Sequence, residues 1–174
     1  MSALRALRAV EAAPALPPAF EALFQREYGR VVAIAQRIVR DADEAEDVAQ
    51  DVFISFYRKH LPDAGYAPAW LYAASAHTAL NAIRSRARRG RRETIHAVER
   101  DVVVDPAAAA ERGETRDEVR AALAHLDERS ASLLALRYSG LTYEEIAAAL
   151  GLRRSSIGTL LARAEAAFRE EVTK

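Results

Sequence analysis

Apolar residues recur at three- and four-residue steps through most of this chain. Phe20, Leu23, Phe24, Tyr28, Val31 and Ala35 form one such stripe, and that period predicts an amphipathic helix. Asp41 to Asp43 interrupt it and supply N-cap side chains. A second helix is predicted from about Ala42 to Arg58, with Val48, Val52, Phe53, Phe56 and Tyr57 as its apolar stripe. Residues 60–69 hold Pro62, Gly65 and Pro68 and read as a loop. A third helix starts near Ala69 with Trp70, Leu71, Leu80 and Ile83, and carries into a run of arginines. Residues 93–116 have no sustained apolar period, contain Pro106, Ala107 to Ala110 and Gly113, and read as a linker with helical parts. The helical period returns over 117–172, in the stripes Val119, Leu123, Leu126 and Leu133, Leu134, Leu136, Tyr138. Thr142 and Glu145 form a capping box, Ile146 and Leu150 face inward, and Gly151 stops that helix. A last helix starts near Arg154 or Ser155.

The expected fold is all-α. A disordered leader covers residues 1–19, where Arg5 and Arg8 give only a faint transit-peptide pattern. An N-terminal helical domain covers 20–92, a flexible acidic linker 93–116, and a C-terminal helix-turn-helix domain 117–174. Composition agrees with a globular chain: 51% of the 174 residues are hydrophobic and 29% charged. The absence of cysteine excludes a disulfide scaffold, a thiolate metal site and a cysteine nucleophile. No apolar run is long enough to span a bilayer.

The formal net charge of zero hides a segregation. Asp41, Asp43, Glu44, Glu46, Asp47 and Asp51 lie in one stretch without a base. Arg84, Arg86, Arg88, Arg89, Arg91 and Arg92 lie in another without an acid. Over 93–118 eight acids face three arginines, a net of minus five. A local basic stripe is what meets phosphate, whatever the total charge.

The helix pair at 142–168 carries the sharpest chemistry. A short capped helix, a glycine turn and a second helix make the helix-turn-helix pattern. Ile157, Leu161, Ala164 and Phe168 lie on one face of the second helix; Ser155, Thr159, Ala162 and Ala166 lie on the other. Small outward residues let a helix sit deep in the major groove, and hydroxyls and helix amides suit phosphates. The same pattern also fits a plain helical hairpin. The arginine run follows a helix with Trp70, Tyr72, His77 and Asn81, a setting for unstacked bases, although Trp70 is equally well read as core. Tyr66, in the loop before it, is the better candidate to face a ligand. The acidic helix reads as a solvated face or as a docking surface for a basic partner; it has no histidine or calcium-loop glycine to suggest a metal.

Three segments then resemble one family in order and spacing. Asp43-Glu44-Ala45-Glu46-Asp47-Val48-Ala49-Gln50-Asp51-Val52-Phe53 resembles the polymerase-binding helix of bacterial extracytoplasmic-function sigma factors. Ala69-Trp70-Leu71-Tyr72 with the helix into Arg92 is similar to their second signature. Leu136-Arg137-Tyr138-Ser139-Gly140-Leu141-Thr142-Tyr143-Glu144-Glu145-Ile146-Ala147 with Gly151 resembles their C-terminal helix-turn-helix. The resemblance covers about residues 20–172.

It implies a sigma factor of RNA polymerase that initiates transcription of a stress- or signal-responsive regulon from the cytoplasm, without catalysis, cofactor, metal or membrane insertion. Asp47, Gln50, Asp51 and Phe53 would lie on or near the surface that meets the β′ coiled coil of core polymerase, with the β flap as a further contact. Tyr66, His77, Asn81, Arg84 and Arg88 would read the −10 element. Arg153, Arg154, Ser155, Ser156, Thr159 and Arg163 would read the −35 element. The acidic linker would thread a basic channel of the polymerase, and an anti-sigma factor is a further implied partner. The free protein is expected to bind promoter duplex weakly, since two linked weak readers gain through effective concentration. The family commonly has Asn and Asp where His77 and Asn81 stand, and Lys-Ser-Arg in place of Gly158-Thr159-Leu160. Gly158 costs about 1 kcal/mol against alanine in a helix, and close backbone approach to DNA is an expected reason for it.

A stand-alone dimeric helix-turn-helix regulator would explain 117–172 but leave the acidic helix and the Trp70 helix idle. An enzyme finds little support: His60, His77, His96 and His125 are scattered, and no phosphate loop or nucleophile triad is present.

Overall fold

Pro17 and Pro18 set the entry to the first helix, because proline lacks the amide that a first turn leaves unused. In the computed structural model, which describes residues 16–96 and 108–173, helix α1 spans Pro18–Val39. Arg40 ends it in the left-handed region, at φ 58°, with its amide returned to Gln36. The chain then reverses, and Asp41 caps α2 (Ala42–Lys59), its carboxylate accepting the Glu44 amide at 2.9 Å. That bond, first among its causes, holds the Asp41 carboxyl below its ordinary pKa. A short loop leads to α3 (Ala67–His96). Its 30 residues make a rod of about 45 Å.

Four shorter helices follow: α4 (Ala108–His125), α5 (Glu128–Tyr138), α6 (Tyr143–Leu150) and α7 (Arg154–Val172). Among the described residues there is no strand. Residues 1–15, most of the expected leader, and 97–107, the middle of the expected linker, lie outside the described residues. The linker's flanks are helical, since α3 continues to His96 and α4 begins at Ala108.

Helices α1, α2 and α3 pack mutually around an aromatic core. Phe20, Phe24 and Phe53 are buried, with Phe24 and Phe53 ring centroids 4.8 Å apart. Burial of such a side chain contributes about 1.5–3 kcal/mol. Ser75 of α3 donates to the Val31 carbonyl at 2.8 Å in that interior. Helices α5, α6 and α7 close on Leu133, Leu136, Leu141, Ile146, Ile157 and Leu161. The turn into α6 uses Gly140 at φ 88°, and the turn out uses Gly151 at φ 63°. The amides of Gly151 and Leu152 both return to the Ala147 carbonyl. No helix among the described residues is long and apolar enough to cross a membrane.

The two helix groups also touch. Helix α3 packs against α4, α5 and α6, and α1 against α5.

Candidate nucleic-acid interface

Three surfaces carry the residues singled out above. The first is α2. Its i, i+3 and i+4 positions bury Ala45, Val48, Ala49, Val52 and Phe53. That leaves Asp47 and Asp51 exposed, with Gln50 half-buried. Phe53 corrects the expectation. It is fully buried between Phe20, Phe24 and Tyr28, so it supports the acidic face from beneath and presents nothing to a partner. Upstream on the same helix, Glu44 binds Arg86 of α3 at 2.6 Å, drawing one arginine of the basic run toward the acidic helix.

The second surface is α3. His77, Asn81, Arg84 and Arg88 follow at steps of four, three and four, which places them on one face. His77, Asn81 and Arg88 are exposed and Arg84 is half-buried. Asn81 Nδ2 donates to His77 Nε2 at 2.9 Å, and His77 Nδ1 donates to Glu128 Oε1 at 2.5 Å. Those two bonds assign His77 its Nδ1-protonated tautomer. Arg84 Nη2 donates to the Leu126 carbonyl at 2.9 Å. Tyr66 stands exposed in the preceding loop, with its hydroxyl 3.3 Å from His60 Nδ1. Trp70, read both as core and as a stacking platform, is half-buried against Phe56 and His60, with centroids 5.5 and 4.5 Å away. The side chains of Arg91 and Arg92 lie outside the described set.

The third surface is α7. Arg153, Arg154, Ser155, Thr159 and Arg163 are exposed and Ser156 is half-buried. Arg153 occupies the N-cap without a side-chain cap bond, whereas Ser, Thr, Asp or Asn usually fills that place. The Ser156 amide returns to the Arg153 carbonyl at 2.9 Å, and no side chain caps the turn before it, an arrangement that suits phosphate oxygens at the amides of Arg154 and Ser155. Gly158 has its absent side chain directed at Tyr143 of α6, where an added Cβ would meet the ring at 3.7 Å, an ordinary contact. It therefore faces the neighbouring helix, which corrects the expectation that this glycine serves approach to DNA.

Several residues with a clear role escape the sequence pattern. Glu27 is buried. It accepts from the Tyr72 hydroxyl at 2.5 Å. Burial first, then this bond, pushes the Tyr72 phenol up to about 12, so it remains a donor. Arg30 donates to Tyr72 at 3.3 Å and to Glu145 at 2.7 Å, joining α1 to α6. Glu145 also closes the capping box: Thr142 amide to Glu145 at 2.8 Å and Glu145 amide to Thr142 Oγ1 at 3.2 Å. One signal was available. Glu27 falls on the stripe of Phe20, Phe24 and Val31, an acid at a core position. Nothing local marks Glu128 or Arg30.

Known proteins share this arrangement. Residues 23–89 match the family of sigma-70 region 2, and residues 116–168 match that of sigma-70, region 4. The chain is 32% identical to the RNA polymerase sigma-H factor of Pseudomonas aeruginosa over 158 residues, covering 83% of this chain and 80% of that protein. It is 28% identical to the extracytoplasmic-function RNA polymerase sigma factor SigK of Mycobacterium sp. (strain KMS), covering 80% and 75%. Its fold matches the sigma factor RpoE of Bartonella quintana, solved in complex with the anti-sigma factor NepR, with a TM-score of 0.52, 22% identity and coverage of 88% and 96%. The two region matches take in α2, most of α3 and the α6–α7 pair, and this chain therefore belongs to the extracytoplasmic-function sigma factors, the transcription initiation factors that join core RNA polymerase to promoter DNA.

Proposed function

We propose that the three surfaces divide the work of promoter recognition. The exposed acids Asp47 and Asp51, with Gln50, dock on the β′ coiled coil of core polymerase. The α3 face captures the upstream end of the −10 element: Asn81 and His77 offer donors and acceptors to base edges, Arg84 and Arg88 meet phosphates, and Tyr66 stacks. Helix α7 enters the major groove of the −35 element with Arg153, Arg154, Ser155, Ser156, Thr159 and Arg163, while its domain rests on the β flap. The acidic linker follows the basic channel of the polymerase. The protein works in the cytoplasm on a signal-responsive regulon, and an anti-sigma factor of the kind bound to the Bartonella protein restrains it.

The mechanism is binding energy without bond chemistry. Extracting a base costs a few kcal/mol. A stacking contact returns about 1–3 kcal/mol, and the charge-assisted phosphate contacts add to it. The observation that supports this division best is the alignment of His77, Asn81, Arg84 and Arg88 on one face of a helix that ends in arginines. The test mixes the protein, core polymerase and fragmented genomic DNA, and maps the RNA 5′ ends. New starts sharing two short upstream elements are expected. Tight, specific binding of the free protein to a palindromic duplex would support a stand-alone regulator in its place.

A further inference from the structure

Two hollows adjoin at the C-terminal end of α1. One, of about 260 Å³, has apolar walls from Val119 and Leu123 of α4, Leu134 and the Tyr138 ring of α5, and Phe168 of α7. The other, of about 320 Å³, is lined by Ala33, Gln36, Arg37, Arg40 and Arg116. Arg37 and Arg40 line both, so the apolar hollow opens onto a cationic one. Arg169 adds a fourth guanidinium to the first. Among the described residues these four arginines have no side-chain hydrogen bond or ion pair, whereas Arg30, Arg86 and Arg120 are each held by an acid. The one acid among the described lining residues is Glu165, which accepts from the Tyr138 hydroxyl at 3.3 Å. Arg40 gives a second sign. Its φ of 58° places it where helices usually end in glycine, a conformation that is strained for a residue with a Cβ. Among the described residues no other non-glycine has a positive φ. The chain thus keeps an arginine at a position that favours glycine, and that arginine lines both hollows.

We propose that the paired hollows bind a small amphipathic anion: an alkyl or acyl chain of about eight carbons with a terminal phosphate, taken up as a single molecule from solution. Guanidiniums gathered around one hollow without a counter-charge repel one another, and an anion between them relieves that repulsion. Arg37, Arg40 and Arg116 supply paired N–H donors of the kind that fit phosphate oxygens. A phosphate monoester carries a charge of about −1.5 to −2 at neutral pH and so suits several arginines better than a carboxylate does. The apolar hollow has room for about nine groups of water's volume, the bulk of an eight-carbon chain lying against Leu123, Leu134 and Phe168. Ligand pockets commonly measure about 300–1,000 Å³, a range that the joined hollows reach. None of the lining residues belongs to the surfaces assigned to polymerase or promoter, so the site does not depend on those assignments.

The probe is octyl phosphate below its micelle concentration, titrated calorimetrically into the full chain at physiological salt. One site per chain is expected, with a dissociation constant of about 10–100 µM. Inorganic phosphate and octanol, the head and the tail alone, should each bind at least about tenfold more weakly. Butyl phosphate should fall between inorganic and octyl phosphate, since each buried methylene adds up to about fourfold. Arg40→Gly is the sharpest variant. Glycine suits the backbone there, so the thermal midpoint should hold or rise while affinity for octyl phosphate falls about tenfold. Arg37→Gln, at an exposed position, should keep the fold and weaken binding about three- to tenfold. Absence of octyl phosphate binding to the folded chain overturns the site. Equal affinity for octyltrimethylammonium, or unchanged affinity in both arginine variants, overturns the role of charge. Equal affinity for inorganic phosphate overturns the apolar half. Binding that begins only at the micelle concentration gives the cleft to a membrane surface, and self-association of the chain in place of binding gives it to a second copy; either result overturns the proposal.

Discussion

Helices α3 and α7 are assigned similar tasks and stand in opposite conditions. On α7 the residues proposed to meet DNA are exposed, apart from half-buried Ser156, and the N-terminus has no side-chain cap. On α3 all four matching side chains are engaged within the chain, His77 by Glu128, Asn81 by His77, Arg84 by Leu126 and, at 3.4 Å, Arg88 by Ser85. Both helices carry arginine and small polar residues, so composition does not separate them. What separates them is the neighbour each one has. A basic face becomes a working face only when its donors are not already satisfied within the chain.

The contrast breaks most completely when one platform is removed. Phe53 holds α2 against α1, buried among Phe20, Phe24 and Tyr28. Phe53→Ala should cost about 3–5 kcal/mol, read as a large fall in thermal midpoint. The neighbouring exposed change Asp51→Asn should leave the midpoint nearly unmoved and weaken only the association with core polymerase. Equal effects from both would mean that α2 does not separate support from contact in this way.

A smaller effect belongs to the buried network under the contact. Tyr72→Phe removes the donor to Glu27 Oε2, leaving only Arg26 on Oε1, and should cost about 1–3 kcal/mol in urea unfolding. The pH dependence has a definite sign. The Tyr72 pKa is raised to about 12 in the fold from an ordinary 10. Its contribution is therefore fully present below pH 10 and lost as pH rises toward 12, where the unfolded chain has already released the proton. The wild-type chain should lose stability over that window more steeply than Tyr72→Phe does.

Between the two faces proposed to meet DNA the discriminating measurement is salt dependence. Replacing Arg153, Arg154 and Arg163 together by alanine should reduce −35-dependent transcription about tenfold and lower the salt slope of promoter binding by about 2–3. Arg84→Ala should reduce transcription as well. In the free chain, however, its effect on DNA affinity should be small, because the side chain is already engaged by Leu126. A large loss of free-chain affinity from Arg84→Ala would show that the Leu126 bond does not keep this side chain from DNA.

The helices themselves were legible because each is written in local chemistry. The stripe beginning at Phe20, the Asp41 cap and the Thr142–Glu145 box each need only neighbours within four residues, and each stands where the pattern places it. Phe53 reads as a contact residue because it sits in a motif associated with a surface, while its own period, shared with Ala45 and Ala49 at steps of four, points inward. The partners of His77, Arg84 and Arg30 lie 42 to 115 residues away. No periodicity carries information over such separations. The site was therefore legible as three lists of side chains, and the restraint that one segment places on another was not.

The smallest predicted effects concern Glu145, which serves two partners through one carboxylate. The Thr142 amide bond, first among its causes, holds its pKa below the ordinary 4.5, and Arg30 adds to the depression. Thr142→Ala should cost about 1 kcal/mol through the lost cap. Glu145→Gln keeps the capping pattern and discards only the charge, so its cost should be smaller than that of Thr142→Ala, in line with an exposed pair. Because the folded pKa is depressed, the charged form's contribution is present above the unfolded value and disappears as pH falls through the folded one. The stability gap between wild type and Glu145→Gln should therefore close on acidification below 4.5, while the gap to Thr142→Ala should narrow only in part, since the hydroxyl still accepts the Glu145 amide. Chemical denaturation of the three chains across acid pH separates the local cap from the long-range tie. If the Glu145→Gln gap persists unchanged at low pH, the Arg30 pair contributes nothing to stability and the contact between α1 and α6 rests on packing alone.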